Sequence, residues 1–372
     1  MLLDFLRSPE AYRALDVHGE RVETIETHHA WVFLVGDHAL KLKKPVRSRW
    51  LDFSTPALRE AACRAEWHLN QALAPGVYLG LVQARQDAGG GWVLRRRCDL
   101  SPDPGAPTSD AAEPEPGATE EDWLVLMRRL PAHRMLDQLV LGGQVGPEGV
   151  DRLARVLSQF WAAAPRAELL PNAWCQRARQ ALQEHALGLD RQTWVQAWAH
   201  SGCKDGRWAH AAEQAQQALS GFASLLQGCE KDLAQRAARR RIVCGHGDLR
   251  PEHVHLPPAP GIPLVIDRLE FSAALREVDP FDELAFLAME CRRLGAAWVG
   301  RRLFARCGRL MDDRPPHRLL RLYTAQRALL RAKLALAHLQ ESPVRDGQRW
   351  RAWARWYLGC AVLATGVGAD RA

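Results

Sequence analysis

The chain has 372 residues, 47% of them hydrophobic and 25% charged, with a net charge of +7. That balance excludes a disordered chain and fits a globular protein with core enough for two or three units. No run of about 18 uncharged apolar residues occurs, so no membrane-spanning helix is expected.

The N-terminal stretch MLLDFLRSPEAY carries Asp4 and lacks a long apolar core, so it does not have the make-up of a signal peptide. VETIETHHAWVFLVGDHALKLKKPV then contains strand-like runs joined at Gly36-Asp37, a hairpin signal. STPALREAACRAEWHLNQALAP predicts a helix, capped at Ser54 or Thr55 and stopped by Pro75. VYLGLVQARQ and GGWVLRRR read as a strand pair with Gly89-Gly90-Gly91 at the turn. Residues 98–121, rich in Pro, Asp, Glu, Ser and Ala, are expected to be a disordered acidic insertion, because they cannot bury a core. WLVLMRRLP resumes as a strand.

From about Gly149 the apolar spacing turns helical. Strand-like material returns briefly in RIVCGHGD, EHVHL and PLVIDRLEF. The expected organisation is α+β: a β-rich lobe with one helix over residues 1–130, and a mainly helical lobe over 131–372. The eight acids between Asp99 and Asp122 meet no Lys or Arg, so the rest of the chain carries about +15. A basic surface suits anionic ligands, although arginine-rich composition alone would also produce it. Nine scattered cysteines without a C-x-x-C fit a reducing cytoplasm. The fourteen tryptophans are expected to be packing residues, and nucleic acid is not an expected partner.

The densest chemistry lies in CGHGDLRPEHVHL, residues 244–256. Its His246-Gly247-Asp248 is followed by four residues and then His253, close to the H-x-D-x-x-x-x-N catalytic-loop template. Asp267 follows nineteen residues after Asp248, at the end of the apolar run PLVI. Phosphoryl transfer needs one carboxylate at the acceptor hydroxyl, and another with a neutral ligand to hold Mg²⁺ on the nucleotide phosphates. A zinc site from His246, His253 and His255 is the rival chemistry, but no Cys–His spacing or H-E-x-x-H supports it.

HGDLRPEHVHL with VIDRLEF resembles the aminoglycoside phosphotransferase and choline kinase branch of the protein-kinase-like fold. It is most similar to uncharacterised bacterial kinase-like proteins, in which the domain is often fused to a P-loop ATPase. WVFLVGDHALKLKKPV, LDFS, NQALAPGVYLGLV and MRRLP extend the resemblance from about residue 21 to 340. No G-x-x-x-x-G-K-[ST] is present, so the fused ATPase is not expected here.

The resemblance implies a bilobal fold with an N-terminal nucleotide-binding lobe, and a C-terminal lobe carrying the catalytic loop and a metal-binding hairpin. It implies ATP and Mg²⁺ as cofactors, and transfer of the γ-phosphoryl group to a hydroxyl of a small molecule. Asp248 would be the catalytic base and Asp267 the principal metal ligand. His253 stands where the family has Asn; an imidazole binds divalent metals but Mg²⁺ prefers oxygen, so either the second metal position is weak, or Mn²⁺ is tolerated, or His253 only hydrogen-bonds the loop. Lys41 would contact phosphates, with Lys43 as its rival on the same strand face. Glu66 would be its helix partner, with Glu60 as the alternative. The glycine-rich loop is missing; Thr27-His28-His29-Ala30 stands there, and His28 or backbone amides would touch phosphate. Met127, Arg128 and Arg129 would form the hinge that reads adenine.

Beyond the hairpin, Asp282 is expected to anchor a helix, while Asp279 is left open between anchor and ligand. Tyr323, Arg327 and Arg331 share a helix face. That stripe suits an anionic acceptor, a clamp on acids of the protein itself, or simply a solvated face. A nucleotide-binding pseudokinase acting as a regulatory or scaffold module is the second functional expectation.

Overall fold

The computed structural model describes residues 1–48, 50–97, 120–200, 207–341 and 343–366. The acidic insertion expected at 98–121 falls outside these residues, apart from Glu120 and Glu121.

The chain begins with α1 (Leu2–Leu6) and a 3-10 helix over Pro9–Leu15. Three strands follow, β1 (Val22–Glu26), β2 (Ala30–Val35) and β3 (His38–Lys43), with Gly36-Asp37 turning the second into the third. Next come α2 (Pro56–Asn70), β4 (Tyr78–Gln86), β5 (Trp92–Arg97) and β6 (Glu121–Arg128). The six strands form one antiparallel sheet in the order β1-β2-β3-β6-β4-β5.

Strand alternation explains why both faces of this sheet are buried. Leu40 and Leu42 of β3 and Leu124 and Leu126 of β6 point to one face, packed by Leu6, Tyr12 and Leu15 of the N-terminal segment. Trp123 and Val125 point to the other, packed by Cys63 of α2. The sequence reading assigned one helix to this region and no cover for the first face. The N-terminal cover is too short, five and seven residues, to show a helical period. On α2 the cap is Thr55, whose side chain accepts from the Leu58 amide at 3.3 Å. Lys41 and Lys43 share the face that α2 covers, because both alternate with Leu40 and Leu42.

The later elements are α3 (Leu136–Leu141), α4 (Pro147–Ala163), α5 (Pro171–Gly188), α6 (Arg191–His200), α7 (Arg207–Ala238) and β7 (Val243–Cys244). They continue with β8 (Val254–His255), β9 (Leu264–Val265), α8 (Ala273–Arg276), β10 (Glu277–Val278), α9 (Pro280–Arg293), α10 (Ala297–Leu310), α11 (His317–His338) and α12 (Gly347–Thr365).

Two compact units result. The first joins residues 1–139 to 246–248 and 252–276; the second holds 140–245, 249–251 and 277–372. The His246–Asp248 turn and the β8–β9 hairpin, expected within a lobe running from residue 131, therefore pack with the sheet-bearing unit. The helical unit has its own core, in which Trp161, Trp194 and Trp198 are buried. It also settles the acids beyond the hairpin. Asp279 caps α9 at the Phe281 amide and accepts from Arg236 at 2.6 and 2.9 Å and from the Tyr323 hydroxyl at 2.9 Å. Asp282 takes a two-pronged contact from Arg327 at 2.9 and 2.7 Å. Arg331 reaches Glu290 at 3.1 Å. The basic stripe is thus a clamp on buried acids of the protein.

Candidate functional site

The site lies wholly within the first unit and is built on β3. Lys41 donates to Glu66 Oε1 at 2.8 Å and to Asp267 Oδ1 at 2.6 Å. Lys43 donates to Glu66 Oε2 at 2.6 Å and to Glu270. Each oxygen of Glu66 therefore has its own lysine, and each lysine has a second carboxylate. Glu60, the alternative helix acid, pairs instead with Arg64 one turn along at 2.7 Å.

Burial opposes charge on Lys41, Lys43, Glu66 and Asp267, and the pairing outweighs it. Burial would push the Glu66 carboxyl up, but Lys41 and Lys43 hold it below the ordinary carboxylate value. Burial would depress Lys41, yet Asp267 and then Glu66 raise it well above an ordinary lysine. The crowded site disfavours ionised Asp267, but Lys41 holds its carboxyl far below normal. Lys41, Lys43, Glu66 and Asp267 are charged over the physiological range. Lys43 is 1% exposed, whereas Lys41 is 16% and Asp267 41% exposed. The Lys41–Asp267 end is the open end.

Asp267 sits at φ 62°, a left-handed conformation uncommon for a residue with a side chain. Its neighbours hold it there. Its amide donates to the Tyr78 hydroxyl at 2.9 Å. The Arg268 amide donates to Asn70 Oδ1 at 2.9 Å, while Asn70 Nδ2 donates to the Glu66 carbonyl at 2.8 Å. Asn70, Tyr78 and Glu270 went unassigned in the sequence, although NQALAPGVYLGLV and IDRLEF contain all three. Their roles depend on contacts across long sequence separations, which no local pattern signals.

The turn carrying Asp248 is held by two stacked histidines, 5.9 Å apart. His246 Nδ1 accepts from the Asp248 amide at 3.2 Å, so its Nε2 carries the proton and donates to the Ile266 carbonyl at 2.9 Å. Burial lowers this ring to about 4, and it stays neutral. With both nitrogens engaged, His246 cannot serve a zinc ion. His253 Nδ1 lies 2.9 Å from the Asp248 carbonyl and must donate to it. In the neutral ring the lone pair is then on Nε2, 3.5 Å from Asp267 Oδ2. Lys41 occupies the other oxygen of that carboxylate. An Asp oxygen beside an oriented imidazole nitrogen is a donor pair that suits a divalent cation.

His28 is exposed in the β1–β2 turn, which Thr27 closes by accepting from the Ala30 amide at 3.0 Å. His29, which had no assigned role, faces inward; burial and then His28 and the lysines lower it to about 4. At the end of β6 the amides of Arg128 and Arg129 donate to the Val77 and Asp37 carbonyls at 2.8 and 2.7 Å. Met127 lies opposite Ala39, two residues before Lys41 on the same strand face.

No family model matches the chain. An uncharacterised protein of Mycobacterium tuberculosis is 30% identical over 318 residues, 84% of this chain and 54% of that protein. The chain thus spans about half the length of the curated relatives it matches. Among solved structures, a choline kinase from Cryptosporidium parvum covers 94% of this chain and 90% of its own, with a TM-score of 0.51 at 8% identity. A thermostable mutant of an aminoglycoside phosphotransferase covers 94% and 95%, with a TM-score of 0.48 at 12% identity.

Proposed function

This chain has the protein-kinase-like fold that the choline kinase shares, and from that premise we propose that it is an ATP-dependent phosphotransferase acting on a hydroxyl of a small molecule. The observation that supports this most is Lys41, held between Glu66 and Asp267 at 2.8 and 2.6 Å. A cation so placed would bind nucleotide phosphates, and Glu66 would keep it aimed. Asp267 and His253 would hold Mg²⁺ or Mn²⁺, which supplies charge neutralisation on the phosphates when bound. Asp248, on the turn braced by His246 and His253, would orient the acceptor hydroxyl and take its proton. His28 and the β1–β2 turn would stand where phosphates enter, and the hinge of Met127, Arg128 and Arg129 would lie along the adenine. With the Arg128 and Arg129 amides already engaged, that hinge would offer carbonyls.

The test is Asp248→Asn in a screen of sugars, amino alcohols and aminoglycosides with labelled ATP. The expected result is nucleotide affinity within about twofold of wild type and transfer reduced by about 10³ or more, the scale of losing a positioned base. Full transfer by the variant would remove Asp248 from this role. One observation favours a second reading, a nucleotide-binding pseudokinase that regulates or scaffolds a partner: the β1–β2 turn is Thr27-His28-His29-Ala30, with no glycine to approach phosphate closely. Thermal stabilisation by nucleotide without turnover, under Mg²⁺ and Mn²⁺ alike, would favour that reading.

A further inference from the structure

The helical unit contains a cavity of about 760 Å³ lined from α9, α10, α11, α12 and the connection between α10 and α11. That volume lies within the range of small-molecule sites. Its lining shares no residue with the Lys41–Asp267 cluster. Part of it is apolar. Phe281 and Phe304 lie nearly parallel, 8° apart in plane and 6.4 Å between ring centres, and Leu320 and Leu363 join them.

The remainder is cationic. Arg292, Arg301, Arg309, Arg314 and Arg321 line the cavity, and among the described residues Asp313 is the only carboxylate in the lining. Asp313 is already taken, for both its oxygens accept from Arg236 at 2.7 Å. Among the described residues none of the five lining arginines lies within ion-pair distance of a carboxylate. Arg309 and Arg321 reach only the carbonyls of Ala305 and Ala364, at 3.2 and 2.7 Å.

The contrast with their neighbours is what gives this weight. On α9, α10 and α11, every arginine outside the cavity has a carboxylate partner. Arg293 pairs with Glu290, Arg302 and Arg306 with Asp151, Arg318 with Asp232, Arg327 with Asp282, and Arg331 with Glu290. The guanidinium groups of these helices that have no carboxylate partner among the described residues are gathered at one depression. Like charges drawn together repel, and an anion among them relieves that repulsion while accepting forked, charge-assisted hydrogen bonds.

We infer that this cavity is a binding site for an organic anion, with a phosphate or carboxylate head held by the arginines and an apolar body laid against Phe281, Phe304, Leu320 and Leu363. It is a second site, independent of the chemistry proposed at Lys41 and Asp267.

Calorimetric titration of the whole chain with hexyl phosphate, inorganic phosphate and hexanol tests this. Hexyl phosphate is expected to bind at least about tenfold more tightly than inorganic phosphate, because two buried methylenes suffice for that difference. Hexanol is expected not to bind measurably. Arg301→Glu should weaken hexyl phosphate by about tenfold or more, whereas Arg155→Glu, the same charge change at an exposed position of α4 outside the cavity, should leave it within about twofold. Leu363→Ser, at a residue 65% exposed whose replacement spares the core, should narrow the gap between hexyl phosphate and phosphate. Equal losses in Arg301→Glu and Arg155→Glu would reduce the effect to general surface charge and overturn the site. So would the absence of hexyl phosphate binding, or phosphate and hexyl phosphate binding alike.

Discussion

Lys41 and Lys43 stand two residues apart on one strand face, and spacing alone could not separate them. What separates them is depth. Lys43 is 1% exposed and lies between Glu66 and Glu270, so it holds the α2 face of the sheet together. Lys41 is more open and holds Asp267. Removing a buried partner leaves an uncompensated charge, which costs about 3–5 kcal/mol. Lys43→Met is therefore expected to lower unfolding stability by about 3–5 kcal/mol in urea titrations. Lys41→Met should cost less, about 1–3 kcal/mol, while weakening nucleotide binding the more of the two. A reversed order would exchange their assignments. The acid on α2 was legible as Glu66 or Glu60, since both occupy plausible helix positions. Only the contact of both lysines with Glu66 decides it.

At the scale of elements, short segments carry geometry that their composition shows only in part. Gly247 in the His246–Asp248 turn has φ +90°, and a Cβ there would lie 3.1 Å from Leu269 Cβ and 3.3 Å from the Leu275 carbonyl oxygen. Gly247→Ala is accordingly expected to cost about 1–3 kcal/mol through backbone strain and crowding. A urea midpoint unchanged from wild type would show that the turn relaxes freely. The α2 cap, the Gly36-Asp37 hairpin, the β4–β5 pair and the β6 strand were all legible, because each rests on turn chemistry or periodicity within a few residues. The N-terminal cover of the sheet was not, being too short for a period. Nor was the destination of Asp279, whose partners Arg236 and Tyr323 lie about forty residues away on either side.

At the scale of the whole molecule, buried neutral histidines set an acid limit. Burial lowers His246 to about 4 and His185 to about 3. In the unfolded chain these rings titrate near 6.5, so only the unfolded state takes up their protons as pH falls below that value. Their contribution is complete above about pH 6.5 and is lost progressively toward pH 4, on the order of 3 kcal/mol for each. Urea midpoints should hold between pH 7 and 8 and fall between pH 6.5 and 4.5, and His185→Leu should flatten that fall. A midpoint constant from pH 7 to 5 would contradict it. The sequence by itself determined the α+β organisation, the sheet face carrying Lys41 and Lys43, and the spacing of Asp248, His253 and Asp267 along a turn and hairpin. Those properties follow from local periodicity and short spacings, which a linear chain displays. The tertiary structure alone decided which lysine is open and which acid is shared. It also packed the turn and hairpin with the sheet, and gathered at one cavity the arginines of three helices that have no carboxylate partner among the described residues. Those outcomes depend on burial and on pairing between residues distant in the chain, and neither quantity exists until the chain has folded.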